Sequence, residues 1–131
     1  MQEIDEYKQV DILEFKNIAY FETGEKNTFK IKIPDTMLKF LCIRYRDTLY
    51  PIIRRNIETG LLTIFINKEK HTVFKNNPVH VVENGKIAFK NNMRINITTY
   101  RPYDISVIYY KGINAYSLKL QELKEIYTKE K

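Results

Sequence analysis

The stretch "VHVVENGKIAFK", residues 79–90, carries the clearest fold signal in this chain. On each side of Asn84 and Gly85, apolar residues recur at every second position, as they do along a strand with one buried face. Asn and Gly both tolerate the positive φ angles that a tight hairpin turn requires. The stretch therefore predicts two antiparallel strands joined at Asn84 and Gly85.

Runs of the same character lie on both sides of this hairpin. They are rich in Ile, Val, Thr, Tyr and Phe, which suit a pleated and half-buried surface. They cover residues 17–21, 28–33, 37–46, 52–57, 61–67, 71–75, 93–100 and 103–110, and the run over 37–46 is compatible with an initial helical turn. Short strands at this spacing are typical of sandwiches and barrels. The sequence predicts an all-β fold, an antiparallel, jelly-roll-like β-sandwich of about 8–10 short strands with one C-terminal α-helix.

The two ends of the chain have a different character from its centre. Leu120, Leu123 and Tyr127 recur at helical spacing, which predicts an amphipathic helix over residues 115–130. Residues 2–16 fit either a helix or an extended arm. We therefore expect a single domain in three parts. These are an acidic N-terminal arm or helix (1–16), a β-sandwich body (17–114) and a C-terminal helix (115–131).

Size and cysteine content bound the class of protein. A chain of 131 residues has the usual length of one domain and can bury a core without disulfides or metal. Cys42 is the only cysteine, so no intrachain disulfide can form, and its apolar neighbours predict a buried thiol. The acidic N-terminal stretch lacks the apolar segment of a secretory signal, and no run approaches the roughly 18 apolar residues of a membrane span. We expect a protein that is made in the cytoplasm, does not contact a membrane and can be incorporated in a virion.

Charge is divided unevenly along the chain. The formal net charge is +6, but residues 1–25 carry seven acids and two bases, whereas residues 26–131 carry 20 bases and nine acids. A basic body suits nucleic acid. It equally suits an acidic segment of the same or a neighbouring subunit, where opposite charges set orientation. A third interpretation is an ordinary solvated surface, because many lysines alternate with apolar residues and so belong to the outer faces of strands.

The sequence contains no recognisable catalytic or metal-binding motif. His71 and His80 each lie inside a strand-like run, and neither is spaced from another histidine or from the cysteine as zinc ligands are. Nucleophile-elbow, P-loop and dinucleotide-binding patterns are also absent. The sequence therefore favours a protein that is not an enzyme, with no catalytic residue, cofactor or metal.

Arginine is concentrated in "RYRDTLYPIIRRN", residues 44–56, which holds four of the six arginines. If residues 41–46 form a strand, Arg44 and Arg46 share one face. Arg54 and Arg55 lie on opposite faces of the next strand, so three guanidinium groups can converge near one rim. Such a group suits a phosphate or a carboxylate, because guanidinium offers a planar fork of donors. The alternative is local pairing with acids such as Asp47 and Glu58.

Tyrosine is the other enriched residue, with ten copies and no tryptophan. Tyr109 and Tyr110 are adjacent on one predicted strand, so one of them faces outward. Tyr and Arg are favoured at protein interfaces, and the same pair can hold single-stranded nucleic acid. The candidate partner-binding residues are Arg44, Arg46, Arg54, Arg55, Tyr100, Arg101, Tyr103 and Tyr110.

Taken together, these features favour a structural or assembly protein that acts through protein–protein contacts. The composition, with 18 Ile, 16 Lys and 11 Asn against 3 Ala, is typical of AT-rich genomes such as those of many bacteria and their phages. The expected role is a phage virion component, such as a capsid decoration, neck, tail-ring or baseplate subunit, and the expected partners are other protein subunits in a homo- or hetero-oligomer. The alternative is a basic, OB-like nucleic-acid-binding protein or a small inhibitor of a nucleic-acid enzyme.

Overall fold

Antiparallel strands account for most of the described chain in this computed structural model, which describes residues 9–12, 17–70, 77–90, 97–110 and 115–124. The strands are β1 Gln9–Ile12, β2 Asn17–Thr23, β3 Thr28–Lys32, β4 Thr48–Arg55, β5 Leu62–Asn67, β6 Val79–Val82, β7 Lys86–Lys90, β8 Pro102–Tyr110 and β9 Ala115–Glu122. A short helix, α1 Asp35–Phe40, precedes β4, and a 3₁₀ turn, Glu83–Gly85, joins β6 to β7. The prediction of an all-β, antiparallel protein is confirmed.

Eight of these strands close into a barrel. The order around the ring is β8–β2–β3–β7–β6–β4–β5–β9, and β9 pairs again with β8. Every neighbouring pair is antiparallel. Strand β1 continues the line of β2 along β8, where Ile12 lies opposite Ile108. A closed ring leaves none of its eight strands as a free edge.

The predicted sandwich is therefore wrong, and two strands explain the difference. In β4, Thr48 and Leu49 pair with β6, whereas the stretch from Tyr50 to Arg55 pairs with β5. In β2, the first residues pair with β8 and the last with β3. Each of these strands passes from one neighbouring partner to another along its length, so the sheet has no gap that would divide it into two layers. Alternation reports one buried face and is the same in a sandwich and a barrel.

The barrel interior is packed with apolar side chains. The buried cluster contains Ile31, Ile64, Ile87, Val107, Leu118 and Leu120, together with residues of α1. Phe21 belongs to this cluster, and its ring lies edge-to-face against Phe89 at 5.3 Å and against Tyr103 at 5.0 Å between centroids. Such contacts add about 0.5–1.5 kcal/mol beyond the area that each ring buries. The interior of the barrel is therefore the hydrophobic core of the protein.

The hairpin over residues 79–90 forms as predicted. Val81 lies opposite Ile87, and Asn84 and Gly85 adopt φ angles of 67° and 70°. Gly85 is also close to α1, because a Cβ atom on it would lie 2.9 Å from Leu38 Cδ1. Both the left-handed backbone and this close approach favour glycine at position 85.

The C-terminal helix predicted over residues 115–130 is wrong where the structure describes that segment. Residues 115–122 form β9, which pairs with β5 on one side and β8 on the other. Leu118, Leu120 and Glu122 alternate along it and are buried. Near the N-terminus, residues 9–12 form a strand, while 1–8, 13–16 and 125–131 lie outside the described residues, as does the strand predicted over 71–75.

The strand predicted over residues 37–46 is also wrong, although the initial helical turn that this run allowed is present. Its first part belongs to α1, and residues 41–47 form a loop. The helix ends in a Schellman motif: the Ile43 amide donates to the Leu38 carbonyl, the Cys42 amide donates to the Lys39 carbonyl, and Cys42 has a φ of 58°. Residues 97–100 of another predicted strand are irregular, and the rest of that run lies in a part that the structure does not describe.

Candidate functional site

The candidate arginines lie at two opposite ends of the barrel. Arg44 and Arg46 precede the first residue of β4, whereas Arg54 and Arg55 are its last two residues. A strand of this length separates its ends by roughly 23 Å. The predicted convergence of three guanidinium groups is therefore wrong, because residues 41–46 form a loop and not the paired strand that this convergence requires.

Three of the described arginines lie at the end of the barrel where β4 ends. We call Arg54, Arg55, Tyr100 and Arg101 the arginine rim. It lies at the end of the barrel where β8 begins and β9 ends. Arg55 lies opposite Leu62 in the β4–β5 pair, and Arg101 immediately precedes β8.

A buried carboxylate connects the two sides of the arginine rim. Glu122 is 7% exposed. Its Oε1 accepts a hydrogen bond of 2.8 Å from the Leu62 amide, and its Oε2 lies 3.7 Å from Arg101 Nε. Leu62 is also the cross-strand partner of Arg55, whose Nη1 donates a hydrogen bond of 2.7 Å to the Gly60 carbonyl. The arginine rim is therefore a positively charged surface, and the buried Glu122 carboxylate beneath it is fixed in place by the Leu62 amide.

Tyr103 lies in the barrel core, next to Glu122. It is opposite Glu122 in the β8–β9 pair and has no exposed surface. Burial, and secondly the negative charge of Glu122, raise the pKa of the Tyr103 phenol, while Arg55 and Arg101 act in the opposite direction. The phenol is neutral at physiological pH. Because Tyr103 is fully buried, a partner at the arginine rim would contact the rim side chains and not Tyr103 itself.

The β4–β5 turn projects an apolar side chain beside the arginines. Asn56 Oδ1 accepts hydrogen bonds from the amides of Glu58 and Thr59, and the Gly60 amide donates to the Asn56 carbonyl. This network fixes the turn. At its tip, Ile57 is 98% exposed. A large aliphatic side chain at a rigid tip is a feature that fold stability does not require.

The remaining candidates contribute differently. Tyr100 is 65% exposed beside Arg101. The backbone of Tyr110 pairs with Gln9 and with Ala115, at the end of the barrel away from the arginine rim. Arg46 lies with its guanidinium carbon 5.3 Å from the centre of the Tyr45 ring, also at that opposite end.

The end opposite the arginine rim contains a small polar cleft. It is lined by Cys42, Arg44, Asp47, Thr48, Leu49 and Lys68 and has a volume of about 370 Å³. The thiol of Cys42 is exposed, so the predicted buried thiol is wrong. Cys42 occupies the left-handed position that ends α1, in a loop and not in the strand that its apolar neighbours predicted.

Within the described ranges, the structure shows no cluster of three or more groups that could hold a metal ion. His80 is exposed, and its Nδ1 lies 3.3 Å from Thr48 Oγ1. His71 lies outside those ranges. Over the same part of the chain, none of the helices is long and apolar enough to cross a membrane.

Glu122 was not among the residues that the sequence predicted for a site. It lay inside the predicted helix, where a glutamate is an ordinary solvent-facing residue. The available signal was the alternation Leu118–Leu120–Glu122, which places the carboxylate on the apolar face of a strand.

The fold and the rim define this chain as a closed, eight-stranded antiparallel barrel with a positively charged end. Comparison with protein-family models, with curated proteins and with solved structures gives no match to it.

Proposed function

We propose that this protein is a non-enzymatic assembly module that binds another protein subunit through the arginine rim. The observation that carries the proposal is that Arg54, Arg55 and Arg101 lie at the same end of the barrel as the exposed side chains of Ile57 and Tyr100. Arginine, tyrosine and an apolar anchor are the residue types that dominate binding energy at protein interfaces. Full burial of Ile57 in a partner would contribute about 1.5–3 kcal/mol.

The partner best suited to this surface is a second copy of the chain. Residues 1–25 carry seven acids against two bases, and Asp and Glu accept the planar donor fork of Arg. Contact between the acidic segment of one copy and the arginine rim of another would set orientation and register. The finer proposal is a phage virion subunit. It rests on the Ile-, Lys- and Asn-rich composition and on the proposed contact between the acidic segment of one copy and the arginine rim of another.

Sedimentation velocity of the full chain over a range of protein concentrations tests the proposal. We expect association that strengthens with concentration, weakens with salt, and is lost in I57D and in R54E. The matched controls are I18D, on the barrel wall where Ile18 is 48% exposed, and R46E, at the opposite end. A chain that stays monomeric at every concentration, or that loses association equally in the controls, would contradict the proposal.

A nucleic-acid-binding role is the alternative, because Tyr100 can stack on a base while Arg54 and Arg101 contact phosphates. The closed eight-stranded barrel differs from the five-stranded OB barrel that this alternative expects. Titration with a single-stranded oligonucleotide at two salt concentrations separates the two functions. A steep loss of affinity with salt that depends on Arg54 would favour nucleic acid.

A further inference from the structure

We infer that the polar cleft at the end opposite the arginine rim is a binding site for the phosphate group of a small phosphate monoester. Its volume of about 370 Å³ falls in the range of small-molecule sites. The inference concerns different residues from the proposed protein interface, and the roughly 23 Å length of β4 separates the two surfaces.

Two cationic side chains meet in this cleft. The ammonium group of Lys68 donates a hydrogen bond of 3.2 Å to the Cys42 carbonyl, which holds Lys68 across the loop that ends α1. Arg44 lines the same cleft, and within the described part of the chain its guanidinium group forms no ion pair. A guanidinium fork and an ammonium point charge together are a common phosphate-binding pair.

Among the described residues that line the cleft, the one carboxylate is already engaged by the backbone. Asp47 Oδ2 accepts a hydrogen bond of 2.8 Å from the Arg44 amide, and the Asp47 amide donates to the Arg44 carbonyl at 3.0 Å. The carboxylate thus shapes the loop. Among the described lining residues, the formal charges of Arg44 and Lys68 against that of Asp47 leave one net positive charge.

The loop that forms the cleft is fixed before any ligand binds. The Arg46 amide donates to the Val81 carbonyl and the Val81 amide donates to the Asp47 carbonyl, so the loop is bonded to β6. Cys42 and Arg46 both have positive φ, 58° and 76°, although neither is glycine. Backbone held in this sparsely populated region by its surroundings is common at ligand-binding sites. A preformed loop loses little conformational entropy when a ligand binds.

Thr48 completes the donor set. Thr48 lines the cleft, and its hydroxyl lies 3.3 Å from His80 Nδ1. A hydroxyl can donate to a phosphate oxygen while it accepts from a protonated ring nitrogen. The cleft therefore offers three kinds of hydrogen-bond donor: the guanidinium of Arg44, the ammonium of Lys68 and the hydroxyl of Thr48. A phosphate monoester has several oxygens that can accept from them.

NMR titration of the ¹⁵N-labelled full chain with inorganic phosphate, at constant ionic strength maintained with sodium chloride, tests this inference. We expect saturable shifts of the amide signals of residues 42–48 and 68. R44Q and K68Q should each weaken binding about tenfold. R44K, which keeps the charge but loses the fork, should weaken it less. R54Q, with the same change of charge at the arginine rim, should have no effect.

A gain of affinity separates binding from structural damage. D47N removes the opposing charge and keeps an oxygen that accepts from the Arg44 amide, so we expect tighter phosphate binding, while E58Q at the other end leaves it unchanged. Glucose 6-phosphate should shift the same signals, and acetate should not. Equal losses in R44Q and R54Q, no gain in D47N, or acetate shifts as large as those of phosphate would overturn the inference.

Discussion

Replacing Tyr103 by phenylalanine should stabilise the protein. The Tyr103 side chain has no exposed surface, and its hydroxyl has no hydrogen-bond partner among the residues that the structure describes. Leaving a buried hydroxyl unpaired costs about 1–3 kcal/mol. Y103F removes only this oxygen and keeps the edge-to-face contact with Phe21. We expect the free energy of unfolding to rise by about 1 kcal/mol and the melting temperature by about 3–5 °C.

Urea unfolding followed by far-ultraviolet circular dichroism measures this change. The matched control is Y20F, since Tyr20 is exposed and loss of its hydroxyl should change the free energy of unfolding by less than about 0.5 kcal/mol. A loss of about 1 kcal/mol or more in Y103F would refute the reasoning, because it would mean that the hydroxyl makes a bond worth more than the cost of its burial.

The same substitution should alter the response to alkaline pH. An unfolded tyrosine loses its proton near pH 10, whereas burial raises the pKa of Tyr103 in the folded protein. Between these two pKa values the folded state holds one proton more than the unfolded state. The stability contribution of Tyr103 is therefore complete below about pH 10 and is lost as the pH rises further, by up to about 1.4 kcal/mol per pH unit. Y103F lacks this loss, so its advantage over the natural chain should widen above about pH 10.

Three further substitutions test local features of the fold by the same unfolding measurement. C42G should stabilise by about 0.5–1 kcal/mol, because glycine occupies the left-handed end of a Schellman motif without strain, whereas C42A should not stabilise. G85A should cost at least about 2 kcal/mol, since it adds a clash with Leu38 to the backbone strain. Its control, G60A, has the same positive φ but nothing within 4 Å of the added Cβ and should cost about 1 kcal/mol. E122A should cost about 1–3 kcal/mol by leaving the buried Leu62 amide unpaired, while E122Q keeps an acceptor and should cost less.

Each of these three predictions would be contradicted by a specific result. Equal stabilisation by C42G and C42A would mean that the thiol, and not the left-handed backbone, is responsible. Equal costs of G85A and G60A would exclude the contact with Leu38. Equal costs of E122A and E122Q would show that charge matters more than the hydrogen bond to the Leu62 amide.

Agreement between local signals decided which local predictions succeeded. The hairpin over residues 79–90 was predictable, because its turn residues and its alternation indicate the same structure. Residues 115–122 were not, since Leu118 and Leu120 fit a strand while Leu120 and Leu123 fit a helix. Pairing with β5 and β8 decides in favour of the strand by satisfying its backbone groups on both sides. Tertiary pairing overrides local propensity where the pattern is ambiguous.

The candidate site was predictable in its residue types but not in its grouping. Arg54, Arg55 and Arg101 were recognised as candidates, yet the sequence offered no reason to place Arg101 at the same end of the barrel as Arg55, which lies 46 positions earlier. Their proximity depends on the ring order β4–β5–β9–β8, which carries contacts from Arg55 through Leu62 and Glu122 to Arg101.

Side-chain alternation, turn chemistry and composition were enough to predict the strand-rich class, the hairpin at Asn84 and Gly85, and the uneven charge. Strand pairing in three dimensions was needed to show that the sheet closes into a barrel, that residues 115–122 form its last strand, and that the arginines divide between two ends. This is because alternation fixes which face of a strand is buried but carries no information on which strand lies beside it. Hydrogen bonds between segments far apart in the chain settle that choice.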